Sequence, residues 1–247
     1  MPPTLENPFT PKSALPTKRL FGGEKKVVKK KLDKETRKRI KEKTKEQKEQ
    51  FEKIEYGDHE ILKPQARFLY KVGKEYIELV KEHQLLSEEK MIQMLTRRIE
   101  VDESGNIVKI NFSDLGLKTL PSLDELTNLY TFLCRHNDLT SLPSLDKLTN
   151  LKWLDCSYNK LNYLPGLEKL ANLKEFRCDD NKLANLPSLD KLTSLKDLYC
   201  HENNLTSLPS LDKLTNLKRI GCAKNKFSEQ EKANIKSQVS KDCKLYF

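Results

Sequence analysis

Nowhere does this chain of 247 residues approach the roughly 18 consecutive apolar residues that a membrane-spanning helix needs. The opening "MPPTLENPFTPKSALPTKRLFGGEKKVVKK" also lacks the roughly seven-residue apolar core of a secretory signal. The expectation is a soluble, cytoplasmic protein with no membrane partner. Acidic residues are scarce at the start: residues 1 to 55 hold 17 Lys/Arg against 9 Asp/Glu, a net +8 out of +10 for the whole chain. The basic character therefore belongs to an N-terminal arm. A scattered disulfide framework is absent too. Of six cysteines, five (Cys134, Cys156, Cys178, Cys200 and Cys222) recur at a spacing of 22, and in a reducing cytosol they stay as thiols.

What is present divides by composition. Residues 1–32, rich in Pro, Gly and Lys, cannot bury enough surface to offset ordering entropy and read as a disordered basic arm. Residues 33–56 are strong helix formers with few apolar positions, which predicts a charged, solvated helix. Residues 60–104 read as a helical hairpin. Its first helix opens at Pro64 and aligns Ala66, Leu69, Val72, Gly73, Tyr76 and Val80; its second opens at Ser87 and aligns Met91, Met94, Leu95 and Arg98. Lying against the repeats, the hairpin would cover the exposed end of their core.

From Ile107 the period is strict. Residues 107–227 hold about six units of the form L-x-x-L-x-C-x-x-N-x-L-x-x-L-P-x-L-x-x-L-x-x, the last truncated. They resemble the leucine-rich repeat, in particular the short 22-residue class of bacterial internalins and phosphatase-regulating proteins. The resemblance implies an α/β, right-handed solenoid with parallel strands on its concave face. Residues 228–247 carry Ser228 and Glu231 at capping-box spacing, then Ala233, Ile235 and Val239, then the apolar "CKLYF", which reads as a helix-strand cap. With that cap ending at Phe247, no length remains for a catalytic domain of the kind found in repeat-bearing bacterial ubiquitin ligases. No enzymatic activity, cofactor or metal is expected.

Stacking coils at strand spacing buries the first, fourth and sixth positions of every unit in one column. The cysteines are small enough to fill that column beside Phe132, Leu154, Phe176, Leu198 and Ile220. Asn137, Asn159, Asn181, Asn203 and Asn225 fall in the turn after each strand, where an amide can satisfy backbone groups of neighbouring coils. The first unit departs from the pattern with Phe112 and Leu115 at these two positions, as a capping coil would.

Recognition is expected where the copies differ. The constant "LPSLDKLTNLK" is convex, whereas the positions flanking the inward strand residues vary. These are Thr131, Leu133, Arg135, Trp153, Asp155, Tyr158, Glu175, Arg177, Asp179, Asp197, Tyr199, His201 and Arg219. Trp153, the sole tryptophan, lies by phase near Leu133, Tyr158 and Arg177, and the acidic members invite a basic partner segment. His136 and His201 stand three coils apart, too far to share a metal. The reading is a monomeric, non-enzymatic scaffold that binds a protein or peptide. Its alternative is association with nucleic acid or ribosomes through the Lys-rich arm.

Overall fold

Each 22-residue unit spends three residues on a strand and the rest on turns that return the chain to the next strand. The computed structural model describes residues 95–247, together with Glu55–Tyr56, His59–Glu60, Phe68 and Val72. The basic arm, nearly all of the charged helix and most of the hairpin lie outside the described residues. Two short strands, β1 (Glu55–Tyr56) and β2 (His59–Glu60), pair antiparallel across the sequence's "YGD" turn signal, so the helix expected over 33–56 does not include Glu55 and Tyr56.

The main sheet has eight strands. They are β3 (Ile99–Val101), β4 (Ile107–Asn111), β5 (Thr131–Leu133), β6 (Trp153–Asp155), β7 (Glu175–Arg177), β8 (Asp197–Tyr199), β9 (Arg219–Gly221) and β10 (Lys244–Tyr246), lying side by side in chain order. From β4 to β10 every pairing is parallel and in register: Phe132 faces Leu154, Leu154 faces Phe176, Phe176 faces Leu198, and Leu198 faces Ile220. Equivalent positions thus stack into columns. The cysteine backbone prolongs the ladder beyond the strands, with Cys156 N–H donating to Arg177 O at 2.9 Å and Cys178 N–H to Tyr199 O at 2.8 Å.

The far side of each coil is built from tight turns. Leu148 N–H donates to Leu145 O and Leu151 N–H to Leu148 O, both at 2.9 Å, and the same pair of bonds recurs in the coils on either side. A bond from every third residue brings leucines spaced by three onto one inner side, which is why the unit carries them at that interval. The product is one continuous core in which Phe132, Phe176 and all five repeat cysteines are fully buried. Burial also pushes the thiols up, that of Cys222 to about 12.

The asparagine column explains the irregular first coil. Each asparagine serves the coil before it: Asn159 Oδ1 accepts from Leu139 N–H at 3.1 Å, and its Nδ2 donates to Cys134 O at 3.0 Å and to Cys156 O at 3.1 Å. The first coil has no preceding repeat to serve, and its own Leu115 and Leu117 N–H groups are met by Asn137 Oδ1. Leu115 can therefore stand where the other coils need an amide.

Both ends differ in detail from the sequence reading. Within the hairpin expected over 60–104 the helical run gives way at Arg97, and Ile99–Val101 joins the sheet antiparallel to β4. β-branched Ile99 and Val101 suit a strand, and Asp102 and Gly105 make the turn: Asp102 Oδ1 accepts from Ser104 and Asn106 N–H, and Gly105 takes φ 78°. Of the hairpin's stripe residues, Val72 and Leu95 are buried and helical; so is Phe68, which was not on the stripe and stacks on Phe112 at 6.0 Å.

At the other end Ser228 caps helix α1 (Glu229–Gln238), its side chain accepting from Glu231 N–H. Instead of closing a capping box, Glu231 Oε1 accepts from Leu208 N–H at 3.2 Å, and Gln238 Oε1 from Leu211 N–H at 2.9 Å. The last complete coil is followed only by a truncated one, which lacks the turns to bond it, so the helix supplies side-chain acceptors. Of the expected stripe only Ile235 is fully buried; Ala233 is exposed and Val239 partly buried. The terminal strand forms as expected and pairs with β9.

Candidate recognition face

Alternation along a strand sends the residues flanking each inward side chain to the outer face of the sheet. There the thirteen expected binding positions separate by accessibility. Trp153 and Tyr158 are exposed at 37% and 43%, whereas Thr131, Asp155, Asp179 and Asp197 are buried. Leu133, Arg135, Glu175, Arg177, Tyr199, His201 and Arg219 are half-buried. The four short side chains are covered on that face, Asp197 by Arg219 of the next coil and Asp155 through its bonds to Ser157.

The aromatic residues sort into two ends. Trp153 begins its strand and meets Tyr130 edge-on at 6.2 Å, while Tyr130 also carries Lys152 Nζ at 5.9 Å from its ring. Tyr158 lies five residues further on and stacks on His136, with centroids 4.1 Å apart. The ring contacts of Trp153 and Tyr158, expected as neighbours by phase, are with Tyr130 and His136 respectively. Between the two ends, Arg177 lies over the Tyr199 ring at 4.5 Å and donates from Nε to Glu175 at 2.6 Å. Gly221 leaves space for that ring: a Cβ there would come within 3.0 Å of Tyr199 Cδ1.

Several carboxylates of the face are paired within it. Arg219 grips Asp197 with two donors, Lys224 pairs with Glu202, and Asp155 Oδ1 accepts from the backbone and hydroxyl of Ser157.

The eighth residue of every coil holds the left-handed conformation: Asp114, His136, Tyr158, Asp180, Glu202 and Lys224 have φ between 51° and 61°. The bend turns consecutive side chains to the same side, and in the fourth coil it gathers Asp179 and Asp180 beside His201 of the next. Sequence reasoning, comparing only His136 with His201, missed this group. The available signal was positional, since Asp179 and His201 hold the same place in adjacent coils.

Asp179 is 4% exposed and its Oδ1 finds no hydrogen-bond donor. Burial pushes its carboxyl from 3.8 up to about 6, against an opposing pull from His201. The folded protein therefore binds more protons than the unfolded chain between about pH 4 and pH 6, and stability falls as pH rises through that window. Asp179→Asn is expected to stabilise the protein by about 2 kcal/mol at pH 7 and to be neutral near pH 3.5. Chemical denaturation at both pH values checks this, and an equal effect at each would assign the change to packing.

Residues 149–191 match the family described as Leucine Rich repeats (2 copies), and this window lies within the in-register coils. The coils of that window are leucine-rich repeats. No curated protein matches the chain. Among solved structures, this leucine-rich repeat chain is similar to YopM, a leucine-rich effector protein from Yersinia pestis, at 25% identity and TM-score 0.47, covering 64% of this chain and 48% of that one. The leucine-rich repeat protein LIC12759 of Leptospira interrogans gives 24% identity and TM-score 0.46 over 59% of this chain and 44% of that one. The functional domain of InlJ from Listeria monocytogenes, which includes a cysteine ladder, gives 27% and 0.46 over 53% and 29%. The repeat protein thus spans less than half the length of each. Among the described residues no helix is long and apolar enough to cross a membrane.

Proposed function

We infer that this chain is a non-enzymatic interaction module that holds a protein or peptide against the outer face of its sheet. Leucine-rich repeat folds are typical scaffolds for protein interaction. The observation that carries the reading is Trp153. A large apolar side chain stands 37% exposed on a strand fixed on both sides by parallel neighbours, while the inward phase buries its leucines and phenylalanines. Its contact with Tyr130 holds the indole in place before any partner arrives, which lowers the ordering cost of binding. Aromatic and arginine side chains are the usual anchors of interfaces, and Arg177 and Tyr199 lie on the next strands of the same face.

The test uses the full chain as bait and the protein it captures as ligand. Trp153→Ala is expected to weaken that complex by about 2 kcal/mol, whereas Lys147→Ala and Lys191→Ala on the turn side leave it unchanged. All three variants should melt with the parent, because exposed side chains contribute little to the core. Loss of binding from the lysine variants alone would move recognition to the turn side.

A further inference from the structure

We propose that Asp179, Asp180 and His201 form a binding site for a divalent transition-metal ion of the zinc class. One carboxylate oxygen from each aspartate and one ring nitrogen of the histidine lie within 4.8 Å of one another. His201 Nε2 stands 3.8 Å from Asp179 Oδ2 and 3.9 Å from Asp180 Oδ2, too far for hydrogen bonds and a few tenths of an ångström wider than the spacing around a tetrahedral ion. With ligand bonds of about 2.0–2.2 Å, that spacing is about 3.3–3.6 Å, which small side-chain rotations reach.

A second observation points to a ligand independently of this spacing. Asp179 is more than nine-tenths buried, yet its Oδ1 has no donor, and Oδ2 of the half-buried Asp180, the oxygen nearest His201, has none either. Orphaned acceptors of this kind are costly and rare in folded proteins. No neighbouring cation donates a hydrogen bond to them, since Arg177 Nε donates to Glu175 and Lys224 Nζ to Glu202. A doubly charged cation held by the Asp179 carboxylate and Asp180 Oδ2 would offset the two buried charges, with a neutral imidazole as third ligand.

The backbone builds the arrangement. Asp180 at φ 52° breaks the alternation that would send consecutive side chains to opposite faces, and His201 arrives from the next coil at the position equivalent to Asp179. Among the described residues these three form the sole such cluster. An imidazole with two carboxylates suits zinc-like ions, whereas calcium takes about six to eight oxygens and magnesium near-ideal octahedral oxygen coordination. His201 is a third exposed, which leaves a coordination position open to water.

The experiment titrates the full-length, reduced protein with ZnCl2, following heat of binding and thermal unfolding, and with MgCl2 in parallel. One zinc ion per chain should bind, raising Tm by about 5–10 °C at a hundredfold excess over Kd, while magnesium does nothing. His201→Gln and Asp179→Asn should each abolish the shift. Asp179→Asn is expected to be the more stable apo-protein, so its loss of binding cannot be laid to misfolding. Co2+ should give ligand-field bands with no thiolate charge transfer. The proposal is overturned if zinc does not bind, if both variants keep the shift, or if thiolate bands show the ion at the cysteines.

Discussion

Asn159→Ala is expected to destabilise the protein by about 3 kcal/mol, far more than an asparagine outside the column. Its Oδ1 is the acceptor for the buried N–H of Leu139, and its Nδ2 donates to Cys134 O, Cys156 O and Ser157 O. The carbonyls keep other donors: Cys134 O retains Asn137 Nδ2, Cys156 O retains Asn181 Nδ2, and Ser157 O retains the His136 N–H. The Leu139 N–H is left with none, at about 1–3 kcal/mol, and the lost donor weakens three further bonds. Asn159→Asp should be no rescue, since a carboxylate would restore the acceptor but face three carbonyl oxygens. Asn172→Ala, which removes one exposed bond to Thr149 O, should cost less than about 1 kcal/mol. Equal losses for Asn159→Ala and Asn172→Ala in urea titrations would show that the column fills space and does not carry the polar load assigned to it.

This division of labour could be read from the letters, because a strict period and in-register stacking convert position into environment. Once residues 22 apart are known to face each other, one alternation assigns Cys156 and Leu154 inward and Trp153 and Asp155 outward. The same logic fails where neighbours are not equivalent positions. Trp153 and Tyr158 were placed together although they occupy opposite ends of one strand's arc, so each found a different aromatic, Tyr130 and His136. The left-handed bend at the eighth position had no glycine to announce it; Tyr158 and Glu202 adopt it because hydrogen bonds from the flanking coils impose it, overriding their local preference. At the ends the period itself stops, and what mattered was which backbone groups were left unbonded. Glu231 therefore turned to Leu208 instead of to Ser228, and Ile99–Val101 supplied a strand to the otherwise open edge of β4.

The largest loss is expected from Cys178→Asp, at about 4 kcal/mol or more near neutral pH. Cys178 is fully buried in the central coil, and burial pushes its thiol well above the ordinary range, so this position resists any negative charge. Among the described residues no cation figures in the charges acting on it, and the neighbouring Asp179 and Asp155 add repulsion. A carboxyl placed there would hold its proton in the fold, so the damage should be smallest below about pH 4 and grow as pH rises. Stability in a solenoid is close to a sum over neighbouring coils, and a broken central coil uncouples both halves. Labelling with a bulky thiol reagent makes this visible. The parent should react slowly at Cys134, Cys156, Cys200 and Cys222, whereas Cys178→Asp should expose coils on both sides at neutral pH and protect them again in acid. Cys178→Ala separates charge from volume, since it removes only a sulfur and should cost about 1 kcal/mol with no pH dependence. If the aspartate and alanine variants prove equally stable at pH 7, the sixth position is open to water and the cysteine column is no part of the core.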